Sequence, residues 1–222
     1  TSYALCFIPF DKRRRLAQAI RTIQSYYETA NPNGKFFWYN QGRSVDEIFD
    51  KEKAERQKKE CLETFKESEK WSDRVKFGVS IHADYTTSEE TMEWAGRFAA
   101  ENELILNAHI SETQQETLNT IDKYGLTPVR HFDRFGLINE CFVSAHTIWV
   151  NDEDIETLGS RKANVVHNIN SNLLLSSGYK FKFIELRDAG ANVCIGTDGC
   201  GSSDNLDIRE SLKTIAMVQK AW

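Results

Sequence analysis

The sequence predicts an α/β protein built on a parallel sheet, with candidate site residues gathered at one end of it. Three observations carry that prediction. Short apolar runs alternate with amphipathic stretches along the chain, the pattern of repeating βα units. The apolar runs are continuous, as strands buried on both faces require. Four histidines and one aspartate stand at the C-terminal ends of consecutive runs. In a (β/α)8 barrel those ends form one rim, which is the active-site face.

Taken in order, residues 3–10 form a first strand-like run. Leu16, Ala19, Ile20, Ile23 and Tyr27 then line one helical face at spacings of three and four. Asn31-Pro32-Asn33-Gly34 is a turn cluster, and Phe36-Phe37-Trp38-Tyr39 reads as a buried strand. Residues 43–74 carry ten acidic and nine basic side chains with the signs interleaved. Glu47→Lys51, Glu52→Arg56 and Glu55→Lys59 have the favourable i,i+4 order, so this stretch is expected to be a charged helical excursion over the barrel surface or toward a partner subunit. Strands follow at residues 75–81, 104–108, 141–145, 164–166 and 192–196. The helices between them begin near Ser88, an N-cap, and near Thr113 and Asp152. Another runs near residues 181–189 to Gly190, a C-cap candidate, and the last starts near Leu206.

The composition excludes several classes. There are 28 Lys and Arg against 33 Asp and Glu, a net charge of −5, so no nucleic-acid partner is expected. No apolar run approaches the roughly 18 residues of a membrane span. The five cysteines, at 6, 61, 141, 194 and 200, form no CxxC pair and suggest a reduced, cytoplasmic protein. There is no GxSxG, no GxxxxGK[ST] and no GxGxxG. The 222 residues are expected to form a single domain, at the low end for a barrel that usually takes about 250.

The candidate site follows from the strand ends. His82, His109, His146, His167 and Asp198 each close one apolar run. Imidazole with carboxylate suits zinc or another borderline transition metal. Glu112 lies three residues beyond His109, where a carboxylate can curl over the mouth and shuttle a proton. The bland alternative places Glu112 in the first helical turn, complementing its dipole.

Together, the segment from Phe77-Gly78 to His82, His109-Ile110-Ser111-Glu112, Ala145-His146, His167-Asn168 with Ser171-Asn172, and Gly196-Thr197-Asp198-Gly199 resemble the amidohydrolase superfamily. The similarity is to its branch of aminohydrolases and chlorohydrolases acting on nitrogen heterocycles, and it runs from about Val75 to the C-terminus. It implies a TIM-type barrel of the metal-dependent hydrolase kind. It also implies a divalent metal, zinc with iron(II) as the alternative, and a small heterocyclic substrate such as a purine, pterin, pyrimidine or triazine. Relatives are often dimers or larger. The expected reaction is hydrolytic deamination by metal-activated hydroxide, with dechlorination of a similar ring or a non-enzymatic relative as alternatives.

The resemblance makes His109 and Asp198 metal ligands, with Asp198 also taking a proton from the attacking water. His146 would polarise that water or the substrate, and is a third candidate for the metal. Glu112 would protonate the ring nitrogen. His82, His167, Asn168 and Asn172 would face the substrate. Two departures stand out. Ile169 replaces a usual proline after His-Asn, and the first-strand His-x-His pair that supplies two ligands is absent from the chain. The barrel is therefore expected to be partial, lacking its first strand and flanking β-sandwich, and to bind metal weakly or not at all by itself.

Overall fold

The computed structural model describes residues 36–39 and 51–221. The strand and helix expected before residue 36, and residues 43–50 of the charged stretch, lie outside them. The elements run β1 (Phe36–Tyr39), α1 (Lys51–Ser68), β2 (Val75–Ala83), a 3-10 turn (Asp84–Thr86), α2 (Glu89–Glu101), β3 (Ile105–Ile110), α3 (Gln114–Tyr124) and α4 (Pro128–Arg134). They continue with β4 (Phe142–His146), α5 (Asp152–Ser160), β5 (Asn164–His167), α6 (Ile169–Leu174), α7 (Phe183–Ala189), β6 (Asn192–Ile195), α8 (Cys200–Ser203) and α9 (Ile208–Ala221).

All six strands pair in chain order and all pairs are parallel. This is the arrangement of consecutive barrel units, and it presents all the C-terminal strand ends along one rim. Six of a barrel's eight strands are present among the described residues, with β1 and β6 at the edges.

Strand alternation sorts the side chains. Val75, Phe77, Val79 and Ile81 of β2, and Leu106, Ala108 and Ile110 of β3, join Met92, Ala95, Phe132, Leu137 and Leu158 in one buried core between sheet and helices. The opposite parity, Ser80, His82, Asn107 and His109, is left for the inner face. The β2–β3 register slips between Ser80 and Ala83, where three steps on β2 oppose two on β3. A bulge of this kind re-aims the side chains at a strand end, here His82.

The charged helix α1 is a crossover between β1 and β2. Ala54, Gln57, Lys58 and Cys61 are buried at helical spacing, and Phe65 packs its ring 5.5 Å from Phe77 and 5.3 Å from Phe98. Glu52, Glu55, Arg56, Lys59, Lys66 and Glu67 are exposed on its other faces.

The helix boundaries have local causes. Ser88 accepts from Thr91 N at the start of α2. Thr113 and Glu116 form a reciprocal capping box on α3, and Asn151 with Asp154 another on α5. Thr127 caps α4, with Pro128 in its first turn. Gly190, at φ +105°, ends α7 as expected. Gly159 permits the tightest packing: a Cβ there would lie 2.3 Å from the Ala189 carbonyl oxygen, so only glycine lets α5 and α7 meet. No helix among the described residues is long and apolar enough to cross a membrane.

Candidate metal and proton-transfer site

The residues expected at the strand ends converge. His109 closes β3 and His146 closes β4, and their rings stack with centroids 5.3 Å apart. The His82 ring lies 5.1 Å from that of His109. The His146 Nε2 lies between two carboxylates, 3.7 Å from Glu112 Oε2 and 3.8 Å from Asp198 Oδ2. Residues distant in sequence thus share one mouth because parallel strands end on one side.

Left-handed backbone steers several of them. Ser111 (φ +51°), His146 (φ +70°), Thr147 (φ +52°) and Asp198 (φ +61°) all depart from strand geometry where the chain leaves the rim. In strict alternation with Phe142 and Ser144, His146 would point toward the helices. At φ +70° it instead stacks beside His109.

Each imidazole is fixed through its inner nitrogen. His109 Nδ1 donates to the His82 carbonyl at 2.8 Å, which leaves Nε2 as the lone-pair nitrogen. Burial, with His146 nearby, lowers the His109 pKa to about 4, so the ring is neutral at pH 7. His146 Nδ1 bonds the Asn172 side-chain oxygen at 2.8 Å. His82 Nδ1 bonds the Thr86 hydroxyl at 2.8 Å.

The carboxylates are fixed too. Asp198 accepts from Ser171 Oγ and from Gly199 N, each at 2.7 Å. Burial alone would push its carboxyl up. The Ser171 bond and the nearby His146 outweigh burial and hold it below the ordinary range. Glu112 Oε1 accepts from Ser177 Oγ at 3.1 Å. Ser177 is itself held, its carbonyl accepting from Trp149 Nε1 at 2.7 Å.

The loop bearing Glu112 hangs on Glu116. One Glu116 oxygen accepts from Ser111 N at 3.0 Å, and the other from Glu112 N at 2.8 Å and Thr113 N at 3.4 Å. Glu116 is buried, and burial raises its carboxyl to about 7 despite those three bonds.

Two of the other expected residues stand at the edge of the mouth. Asn168 lies over Gly196, where a Cβ would sit 2.3 Å from its Oδ1. His167 stacks on Phe181 with centroids 4.1 Å apart and rings nearly parallel, and its buried Nε2 has no hydrogen-bond partner among the described residues. Asn172 Nδ2 and Ser111 Oγ are likewise buried, with no partner among the described residues. Glu116 was open to sequence reasoning through the Thr113-x-x-Glu116 capping signature. Ser177 and Trp149 carried no such signal.

The donors fit a divalent transition metal by chemistry: a neutral imidazole with Nε2 free, and an ionised carboxylate held from behind. Among the described residues, no group of three His, Cys, Asp or Glu is drawn together closely enough to hold an ion. His109 and Asp198 would be part of a ligand set, and further donors would complete it.

Parallel βα units with histidines and carboxylates along one rim are the arrangement of part of a (β/α)8 barrel. Residues 11–222 match the amidohydrolase family, and the chain belongs to it. It is 33% identical over 204 residues to a 5'-deoxyadenosine deaminase of Methanoregula boonei, covering 83% of this chain and 45% of that one. It is 37% identical over 175 residues to a 5-methylthioadenosine/S-adenosylhomocysteine deaminase of Thermococcus sibiricus, covering 78% and 41%. Among solved structures, an adenosine deaminase from Xanthomonas campestris with bound zinc superposes with a TM-score of 0.71 at 28% identity, covering 76% of this chain and 38% of that one. A triazine hydrolase from Arthrobacter shares the fold at TM-score 0.76 and 21% identity, covering 96% and 47%. The chain therefore spans less than half the length of these relatives.

Proposed function

We propose that the protein containing this chain deaminates a purine nucleoside, releasing ammonia by hydrolysis. The observation that carries this reading is the position of His146 Nε2 between the Glu112 and Asp198 carboxylates, beside His109. The relatives named as deaminases of 5'-deoxyadenosine and 5-methylthioadenosine give the substrate class.

His109 and Asp198 would hold the metal, with His146 as a third candidate. A divalent metal at such a site lowers the pKa of water toward about 7 and supplies the nucleophile at neutral pH. Asp198, ionised and steered by Ser171, accepts the proton of the attacking water. Glu112 delivers a proton to the purine ring nitrogen as the adjacent carbon is attacked and regains one from the hydroxyl of the adduct, while the proton held by Asp198 passes to the leaving amine. His146, with Nδ1 fixed by Asn172, presents Nε2 to the oxygen that develops charge. His82, Asn168 and Asn172 line the substrate side, with His167 behind them.

The test is ammonia release from 5'-deoxyadenosine, methylthioadenosine and adenosine by the intact zinc-loaded protein, with a chlorinated triazine in parallel. Turnover of at least one nucleoside is expected. Turnover of the triazine alone, or of none of these compounds, overturns the reading.

A further inference from the structure

Outside the mouth, on the helix side of the same rim, lies a buried charged cluster that the proposed reaction does not use. His131 of α4 is fully buried. Its Nδ1 makes a very short hydrogen bond to Asp84, and its Nε2 lies 3.1 Å from Glu89 Oε1. Its ring stacks on Tyr124 at 4.0 Å. The second Asp84 oxygen accepts from Thr120 Oγ1 at 2.8 Å. One nearly inaccessible carboxylate thus ties the 3-10 turn to α3 and α4, and His131 extends the tie to α2. A buried ion pair of this kind adds little net stability compared with apolar packing, so its value is more readily sought in what it positions.

Asp84 opens the 3-10 turn, and Thr86 ends it. The Thr86 hydroxyl bonds the Ala83 backbone and lies within hydrogen-bond distance of His82 Nδ1, at 2.8 Å. The His82 carbonyl in turn accepts from His109 Nδ1 at 2.8 Å. An unbroken path therefore joins the buried cluster to two rings in the mouth.

We propose that the Asp84–His131 pair is a positioning device: it pins the turn whose Thr86 aims the His82 ring and, through the His82 carbonyl, the His109 ring. The inference rests on the reading of His82 and His109 as site residues. Neither Asp84 nor His131 touches the mouth; both act through the turn. A shift of about 1 Å in a positioned group can cost on the order of 100-fold in rate, so a remote anchor of this kind carries weight.

Three variants of the intact protein test it. His131→Gln and Asp84→Asn remove the ion pair while keeping hydrogen-bonding side chains. Thr86→Val cuts the path at its middle and leaves the cluster intact. With 5'-deoxyadenosine as substrate and zinc in excess, each should raise KM about tenfold with a smaller fall in kcat. The Asp84→Asn/Thr86→Val double variant should be no worse than the poorer single. Parental KM and kcat in His131→Gln and Asp84→Asn, with lower melting temperatures, would make the pair a stability clamp only and overturn the proposal. A silent Thr86→Val would also overturn it.

Should the parent release no ammonia, the proposed function fails separately, and the path is judged by histidine ring NMR. His131→Gln should then shift the His82 and His109 ring resonances. Unmoved resonances would overturn the positioning role.

Discussion

Glu116→Gln tests how the proton-transfer loop is held. Three backbone N–H groups converge on the Glu116 carboxylate, at 3.0, 2.8 and 3.4 Å. A glutamine keeps one acceptor oxygen and turns an NH2 toward at least one of those donors. An unsatisfied buried donor costs about 1–3 kcal/mol, so the variant should unfold that much more easily at pH 4.5, where both folded side chains are neutral. A pH signature accompanies this. The folded carboxyl titrates at about 7, against 4.5 ordinarily, because burial opposes its charge. Between those values the folded protein keeps a proton that the unfolded chain has released. The stability from this group is thus fully present below 4.5, falls as pH rises, and is lost above 7. At 1.36 kcal/mol per unit the whole change is about 3 kcal/mol. Urea unfolding of parent and variant from pH 4.5 to 8 measures it. The parent should lose stability across the window, with the variant's slope flattened by about that amount. Equal slopes in the two proteins would refute the burial argument, and equal stability at pH 4.5 would refute the hydrogen-bond argument.

Other outcomes follow from single contacts. Glu112→Gln should keep its zinc, measured by atomic absorption, while ammonia release falls by about 100-fold or more; parallel loss of metal and turnover would mean that Glu112 binds metal. Gly159→Ala should cost at least about 1–3 kcal/mol in urea unfolding, since the new methyl meets the Ala189 backbone at 2.3 Å. Ser88→Ala should cost about 1 kcal/mol through loss of the α2 cap, read the same way.

The strand ends were legible because strands buried on both faces are written as continuous apolar runs, and each run stops at a polar residue. His82, His109, His146, His167 and Asp198 could be read on that basis. The α1 helix was legible as helical, but its packing was not. Only Ala54, Cys61 and Phe65 mark its inner side, in a segment otherwise crowded with charge. The α4 helix carries a start signal in Thr127-Pro128, but its seven residues are too few to show a period. His131 was likewise invisible as part of a cluster. Its partners Asp84 and Glu89 lie 47 and 42 residues away, and no spacing rule links them. Ser177 and Trp149 reach Glu112 through loops, where the sequence holds no periodic signal.

The left-handed residues at the rim bear on how this chain can change. Each non-glycine residue in that conformation costs about 1–2 kcal/mol, which glycine would largely avoid. Ser111, His146, Thr147 and Asp198 all lie there, next to one another around the mouth. Selection for heat resistance alone should therefore favour glycine at these sites, and at His146 or Asp198 the gain would come with loss of the proposed chemistry. Among surviving variants of the protein, the rim should be where stability and turnover trade most directly against each other.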